Sequence, residues 1–212
     1  MNLRVNGFKT SIFINKNRDE VKKGQQDSLK ELGSSQILSR LNSHMGLKGV
    51  ALMKYTLVER DHFQVVGIKR EISFANNENI VIIPKLWDQW KKDGTVDLLF
   101  KLNNGEIKGV LGVCAANSHT QSKQVMDYWV ATEYDGKTPD GLCNLKIPAS
   151  KWAVFEVHGP MPEAIQKAWV QIFSEWFPSS GYKHAGTPAL EVYTNEDPAS
   201  PDFYSEIWVP VN

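Results

Sequence analysis

The chain has 212 residues, 24 acidic and 24 basic side chains, and a hydrophobic fraction of 42%, the composition of a soluble globular protein with a sizeable core. No apolar run approaches the ~18 residues of a transmembrane helix, and the start Met1-Asn2-Leu3-Arg4-Val5-Asn6-Gly7 lacks the apolar segment and cleavage site of a signal peptide. The two cysteines, Cys114 and Cys143, have neither metal-type spacing nor a disulfide framework, so a reducing, cytoplasmic location without metal or cofactor is expected.

Charge is unevenly placed. Residues 1–52 hold nine Lys/Arg against four Asp/Glu, and residues 53–212 hold fifteen against twenty, so a +5 segment precedes a −5 body. That body disfavours direct nucleic-acid binding and mildly favours cationic ligands. The first 52 residues have too few apolar side chains for a core. They read as an N-terminal extension with one short helix over 35–45, capped by Ser34 or Ser35. Met53 directly precedes the first convincing strand, which leaves open whether the biological start lies there.

From Lys54 onward the pattern repeats. The spans 55–59 and 62–73 are rich in Val, Ile and Phe and read as strands. A helix is predicted over 80–92, with Ile83, Leu86, Trp87 and Trp90 on one face and Pro84 blurring its start. Strands follow over 109–115 and 126–133, joined by the polar loop 117–123. A strand over 151–158 and a helix over 163–177 then restart the sequence, the helix led in by Pro160 and Pro162. Strands over 189–194 and 204–211, joined by the turn-rich 195–202, complete it. The order strand–helix–strand–strand therefore occurs twice, in halves of about 54–135 and 150–212. A single α+β domain over 53–212 is expected, with a curved antiparallel sheet, two helices and a ligand cleft at the seam.

The last strand carries the most distinctive chemistry. A period of two puts Tyr204, Glu206 and Trp208 on one face and Ile207, Val209 and Val211 on the other. A carboxylate between two aromatic rings suits a flat organic cation, although a solvated strand face has the same pattern. Tyr128 occupies the corresponding place in the first half. Glu191 shares a face with Tyr193 by the same period, but the phase of that strand against the last is open.

Other candidates read as structure. Ile165, Ala168, Trp169, Ile172 and Trp176 form a helical core stripe, and Trp87 and Trp90 read the same way. The five histidines are scattered without metal-ligand spacing. Cys114 reads as a small buried hydrophobe, and Glu156 as part of a solvated edge. Gly105, Gly109 and Gly112 make no phosphate loop, and no nucleophile elbow or paired-carboxylate motif is present.

Four stretches together resemble the GyrI-like, or AraC-type, effector-binding domain family. They are Trp152-Ala153-Val154-Phe155-Glu156-Val157-His158-Gly159-Pro160, Trp176-Phe177-Pro178-Ser179-Ser180-Gly181-Tyr182, Pro188-Ala189-Leu190-Glu191-Val192-Tyr193 and Glu206-Ile207-Trp208-Val209-Pro210-Val211. The first half matches mainly in element order. The resemblance implies a duplicated fold whose cleft binds cationic, aromatic or lipophilic compounds, with a last-strand carboxylate, here Glu206, as anchor. Aromatic walls implied by the family map onto Tyr128, Trp208 and Tyr193. Many relatives carry a helix-turn-helix DNA reader ahead of this domain, and residues 1–52 are too short and too weakly helical for a paired one.

A stand-alone module that senses or sequesters cationic molecules is the leading expectation, linked to transcription regulation or drug response. Alternatives are a small-molecule hydrolase using a cleft glutamate as acid or base, and a partner of gyrase or of a DNA-binding regulator. Pairing of an edge strand into a homodimer is left open.

Overall fold

In the computed structural model, which describes residues 53–115 and 124–212, eight strands form one sheet in the order β1-β6-β8-β7-β3-β4-β2-β5, antiparallel throughout. The strands are β1 (Tyr55–Arg60), β2 (Phe63–Ser73), β3 (Val110–Ala115), β4 (Val125–Glu133), β5 (Cys143–Ile147), β6 (Ser150–His158), β7 (Ala189–Tyr193) and β8 (Tyr204–Val211). Helix α1 spans Glu78–Lys92 and α2 spans Thr95–Leu102. Helix α3, Glu163–Gln171, continues through a wider π-type segment, Ile172–Trp176, into the short α4, Phe177–Ser180.

The expected duplication is present. The units β2–α1–β3–β4 and β6–α3–β7–β8 meet at the β3/β7 pair, and the sheet order reads symmetrically outward from that seam. Two elements are additional. Helix α2 packs Val96 and Leu99 beside α1, and β5 extends the β2 edge. The expected extension with its helix over 35–45 and the loop 117–123 lie outside the described residues.

Chain connectivity forces the sheet to curl. Only Asp61 and His62 separate β1 from β2, yet six strand spacings lie between them in the sheet. Laid flat, six spacings would measure roughly 29 Å, whereas two linking residues reach about 11 Å. Pro148 and Ala149 impose the same condition between β5 and β6. The inward face accordingly forms one continuous core: Val65 of β2 and Ile147 of β5 pack in the same cluster as Trp152 and Val154 of β6, with Leu111, Val113 and Leu190.

Arg60, at the end of β1, reinforces this closure. It donates two hydrogen bonds to Glu133 of β4, at 3.0 and 3.1 Å, pairs with Glu106 at 2.9 Å and lies 4.5 Å over the Phe63 ring. The Ile107 N–H also donates to Glu133. Burial pushes the Glu133 carboxyl up, but Arg60 and the backbone donors more than offset this and leave its pKa below the ordinary value.

The outward face carries the helices. Val110, Tyr128 and Val130 meet Trp90, Val96 and Leu99 in a second core, while α3 lies against β6 and β8. A gap remains between the two helical groups, over the β3/β7 seam.

Candidate functional site

Glu191, in the middle of β7, is 6% exposed and points outward into that gap. Three donors converge on its carboxylate. Trp169 Nε1 of α3 donates to Oε1 at 2.7 Å, and the Tyr128 and Tyr193 hydroxyls donate to Oε2 at 2.9 and 3.0 Å. The Tyr128 hydroxyl in turn accepts a hydrogen bond from Trp87 Nε1 at 2.8 Å, and Trp87 meets the Tyr193 ring edge-to-face at 4.8 Å. Four aromatic side chains from α1, α3, β4 and β7 thus surround one carboxylate.

The backbone makes room for this cluster. Gly112 of β3 pairs directly with Glu191 across the seam, and a Cβ there would overlap the Tyr128 hydroxyl and the Glu191 carboxylate. Gly112 lies in the strand expected over 109–115, where absence of a side chain admits the carboxylate and its phenol donor.

No Lys or Arg pairs with Glu191 among the described ion pairs. Burial pushes its pKa up, and the bonds from Trp169, Tyr128 and Tyr193 oppose the shift without cancelling it. Burial and the neighbouring carboxylate raise both tyrosines well above their ordinary value, so they remain neutral donors. The nearby Cys114 thiol, half-buried rather than fully enclosed, is raised by the same two causes. A carboxylate held by neutral donors alone can accept a positive charge that displaces no existing partner.

The cavity above Glu191 has a volume of about 280 Å³. Its walls are Ile80, Ile83 and Trp87 of α1, Phe100 of α2, and Ile165 and Trp169 of α3. Exposed Asp88, Asp97 and Glu196 stand at its edge with Lys91. A hydrogen bond crosses between the helical groups. Pro84 has no N–H with which to bond the Ile80 carbonyl four residues earlier, and Gln166 Nε2 of α3 donates to that carbonyl at 3.2 Å.

The six residues expected to form the cleft fall on two sides of the sheet. Leu190 lies opposite Trp208 and Val192 opposite Glu206, whereas Glu191 lies opposite Ile207. Glu191, Tyr193 and Tyr128 therefore come together on the outward face. Tyr204, Glu206 and Trp208 share the inward face and do not line the cavity. There Glu206 accepts from the Tyr204 hydroxyl at 2.5 Å and from Trp208 Nε1 at 2.7 Å, while Trp208 packs edge-to-face on Trp152 at 6.0 Å. Its cross-strand neighbour Glu156 is paired with Lys54 at 2.9 Å. Trp87 and Trp169, read from sequence as core only, also supply site donors. Their helical spacing reported burial faithfully but not the direction of the indole N–H.

Among the described residues, no cluster of His, Cys, Asp or Glu could hold a metal ion, and no helix is long and apolar enough to cross a membrane.

Comparison with known proteins identifies relatives of the chain. The pattern of the integron-associated effector binding protein family, Cass2, matches residues 56–211. A protein solved in complex with tetraphenylphosphonium is 25% identical, with a TM-score of 0.68 over 76% of this chain and 94% of that one. A bacterial transcription regulation protein from Staphylococcus aureus is likewise 25% identical, with a TM-score of 0.64 over 76% and 99% of the two chains. Among curated proteins, a DNA gyrase inhibitor of Erwinia billingiae is 35% identical over 31% of this chain, and a transcriptional regulator of Bacillus subtilis is 31% identical over 43%. Those alignments span 42% and 58% of the respective relatives, about half their length.

Proposed function

The chain belongs to the integron-associated effector binding protein family, and from that premise we propose that it binds lipophilic cations in the cavity over Glu191, as a sensing or sequestering module rather than as an enzyme. One observation carries this reading: a buried carboxylate with three neutral donors and no paired cation among the described residues, at the base of an aromatic and aliphatic cavity. A bound cation would offset the desolvation that raises the Glu191 pKa, and each ring face would add about 0.5–2 kcal/mol where water is excluded. The tetraphenylphosphonium-bound relative supports the ligand class. Tolerance of varied shapes would follow, because ring stacking and a single charge demand little hydrogen-bond geometry.

Calorimetric titration with tetraphenylphosphonium and with neutral triphenylphosphine oxide tests this reading. The expected result is saturable binding of the cation, with the neutral compound at least ~10-fold weaker, about 1.4 kcal/mol. Both compounds should be recovered chemically unchanged after prolonged incubation. Equal affinity for the two would remove the role of charge, and a hydrolysed product with a susceptible cationic ester would favour catalysis.

A further inference from the structure

We propose that Trp87 is a positioning residue for the cation site: through the Tyr128 hydroxyl it aims a proton donor at Glu191, and so sets the pH at which the carboxylate becomes available to a cation. The inference rests on the reading of Glu191 as the cation site. Trp87 lies on α1, and its Nε1 is 2.8 Å from the Tyr128 hydroxyl oxygen, which is itself 2.9 Å from Glu191 Oε2. An indole N–H can only donate, so the Tyr128 oxygen accepts the first bond and its single proton is left for the second. Turned toward Trp87, that proton would meet another donor, which leaves Glu191 as its partner.

Each part of this relay is held in place. Trp87 meets Trp90 edge-to-face at 6.5 Å and Tyr193 at 4.8 Å, and Tyr128 is fully buried. The bond from Trp87 draws electron density from the phenol oxygen, which makes the Tyr128 O–H a stronger donor to the carboxylate. It also opposes the rise that burial and Glu191 impose on the phenol pKa. A stronger bond to the carboxylate favours its ionised form. The two halves of the molecule thus each supply an indole to Glu191, Trp169 directly and Trp87 through Tyr128.

Around Glu191, burial keeps Tyr193 of β7 and Cys114 of β3 neutral. Helix α3 brings Gln166 and Trp169, which do not titrate, and β8 places Ile207 opposite. Asp88 and Lys91 of α1, Asp97 of α2 and Glu196 stand at the exposed cavity edge, where water and salt screen them.

The test is a calorimetric titration of tetraphenylphosphonium into the full chain across a pH series, for wild type, Trp87→Phe, Tyr128→Phe and the double variant. Phenylalanine keeps a ring in the cavity wall and removes the N–H. Loss of a purely structural wall ring would lower affinity equally at every pH. Loss of the relay should instead move the midpoint to higher pH. The ratio of affinity on the alkaline plateau to affinity on the acid limb should then grow about threefold in Trp87→Phe and further in Tyr128→Phe. The double variant should match Tyr128→Phe alone, because Trp87 then has nothing to act through. Carbon-13 NMR of the Glu191 carboxyl in the empty protein should show the same displacement without ligand. Replacing Trp87 by benzothienylalanine, which exchanges the N–H for sulfur at nearly the same shape, repeats the measurement with packing preserved. An unmoved midpoint in both position-87 variants overturns the proposal, as do shifts that simply add in the double variant. In either case binding that still weakens in Glu191→Gln leaves the cation reading standing. A wild type that binds no tetraphenylphosphonium, or binds it independently of pH and of Glu191→Gln, overturns both.

Discussion

At the scale of single residues, Glu191 makes affinity depend on pH in a defined direction. Its pKa in the empty protein lies above the ordinary carboxylate value, so acid keeps the site neutral. Affinity for a permanent cation should rise with pH through that raised pKa and level off above it, and Glu191→Gln should give a flat profile. Stability of the empty protein moves the opposite way. The folded state holds its proton longer than the unfolded chain, so stability falls as pH rises from the ordinary carboxylate range through the folded pKa. Trp169→Phe removes the donor to Oε1 and should shift the affinity midpoint to higher pH, read by titration in a buffer series. Gly112→Ala should weaken cation binding and lower stability by about 1–3 kcal/mol through overpacking against Tyr128 and Glu191.

Some of these residues were visible in the sequence and others were not. The alternation Glu191-Val192-Tyr193 sufficed to place a carboxylate and a phenol on one face. Choosing that face over the one with Glu206 required the register Glu191↔Ile207, a long-range fact that period-two reasoning within one strand does not contain. Likewise, Tyr204, Glu206 and Trp208 do form the local aromatic–carboxylate cluster that their spacing suggests, but it faces the inside of the curl.

Among elements, α1 and α3 define how the cavity closes. Pro84 leaves the Ile80 carbonyl without its helical donor, and Gln166 supplies one from the opposing helix. A helix defect thereby becomes a clasp between the two halves. Gln166→Leu should leave that carbonyl unpaired, lower stability by about 1 kcal/mol and speed dissociation of a bound cation several-fold, measured by stopped-flow fluorescence. An unchanged dissociation rate would mean that the clasp plays no part in retention. In the sequence Pro84 blurs where the helix begins. In the structure Glu78–Lys92 runs through it, since the missing bond is replaced by tertiary contact. Helix α2 and strand β5 escaped sequence reading for other reasons. Thr95–Leu102 spans barely two turns, and Cys143–Ile147 is a five-residue edge strand, largely exposed, whose alternation is too brief to stand out.

For the whole molecule, the duplicated element order was legible because each half repeats the same hydrophobic periods. The curl was not. It follows from two short links, Asp61-His62 and Pro148-Ala149, only once the pairing of β1 with β6 and of β5 with β2 is known. The Arg60–Glu133 pair holds that closure, with both side chains largely buried at 12% and 8% exposure. Arg60→Met should cost about 3–5 kcal/mol by leaving a buried carboxylate unpaired. The pH response of stability should reverse with it. In wild type Glu133 has a lowered pKa, so its contribution is present above the ordinary carboxylate value and is lost as pH falls through the folded one. In Arg60→Met burial dominates, and acidification should instead recover stability.

The curl also separates two carboxylates that a flat reading of the chain treats as alternatives, Glu191 over the helices and Glu206 in the inner face. The most direct measurement is therefore a parallel calorimetric titration of tetraphenylphosphonium into wild type, Glu191→Gln and Glu206→Gln. Affinity should fall at least ~10-fold for Glu191→Gln, about 1.4 kcal/mol, and change within about threefold for Glu206→Gln. The reverse ranking, with Glu206→Gln abolishing binding and Glu191→Gln retaining it, would place the cation on the inner face instead of over Glu191.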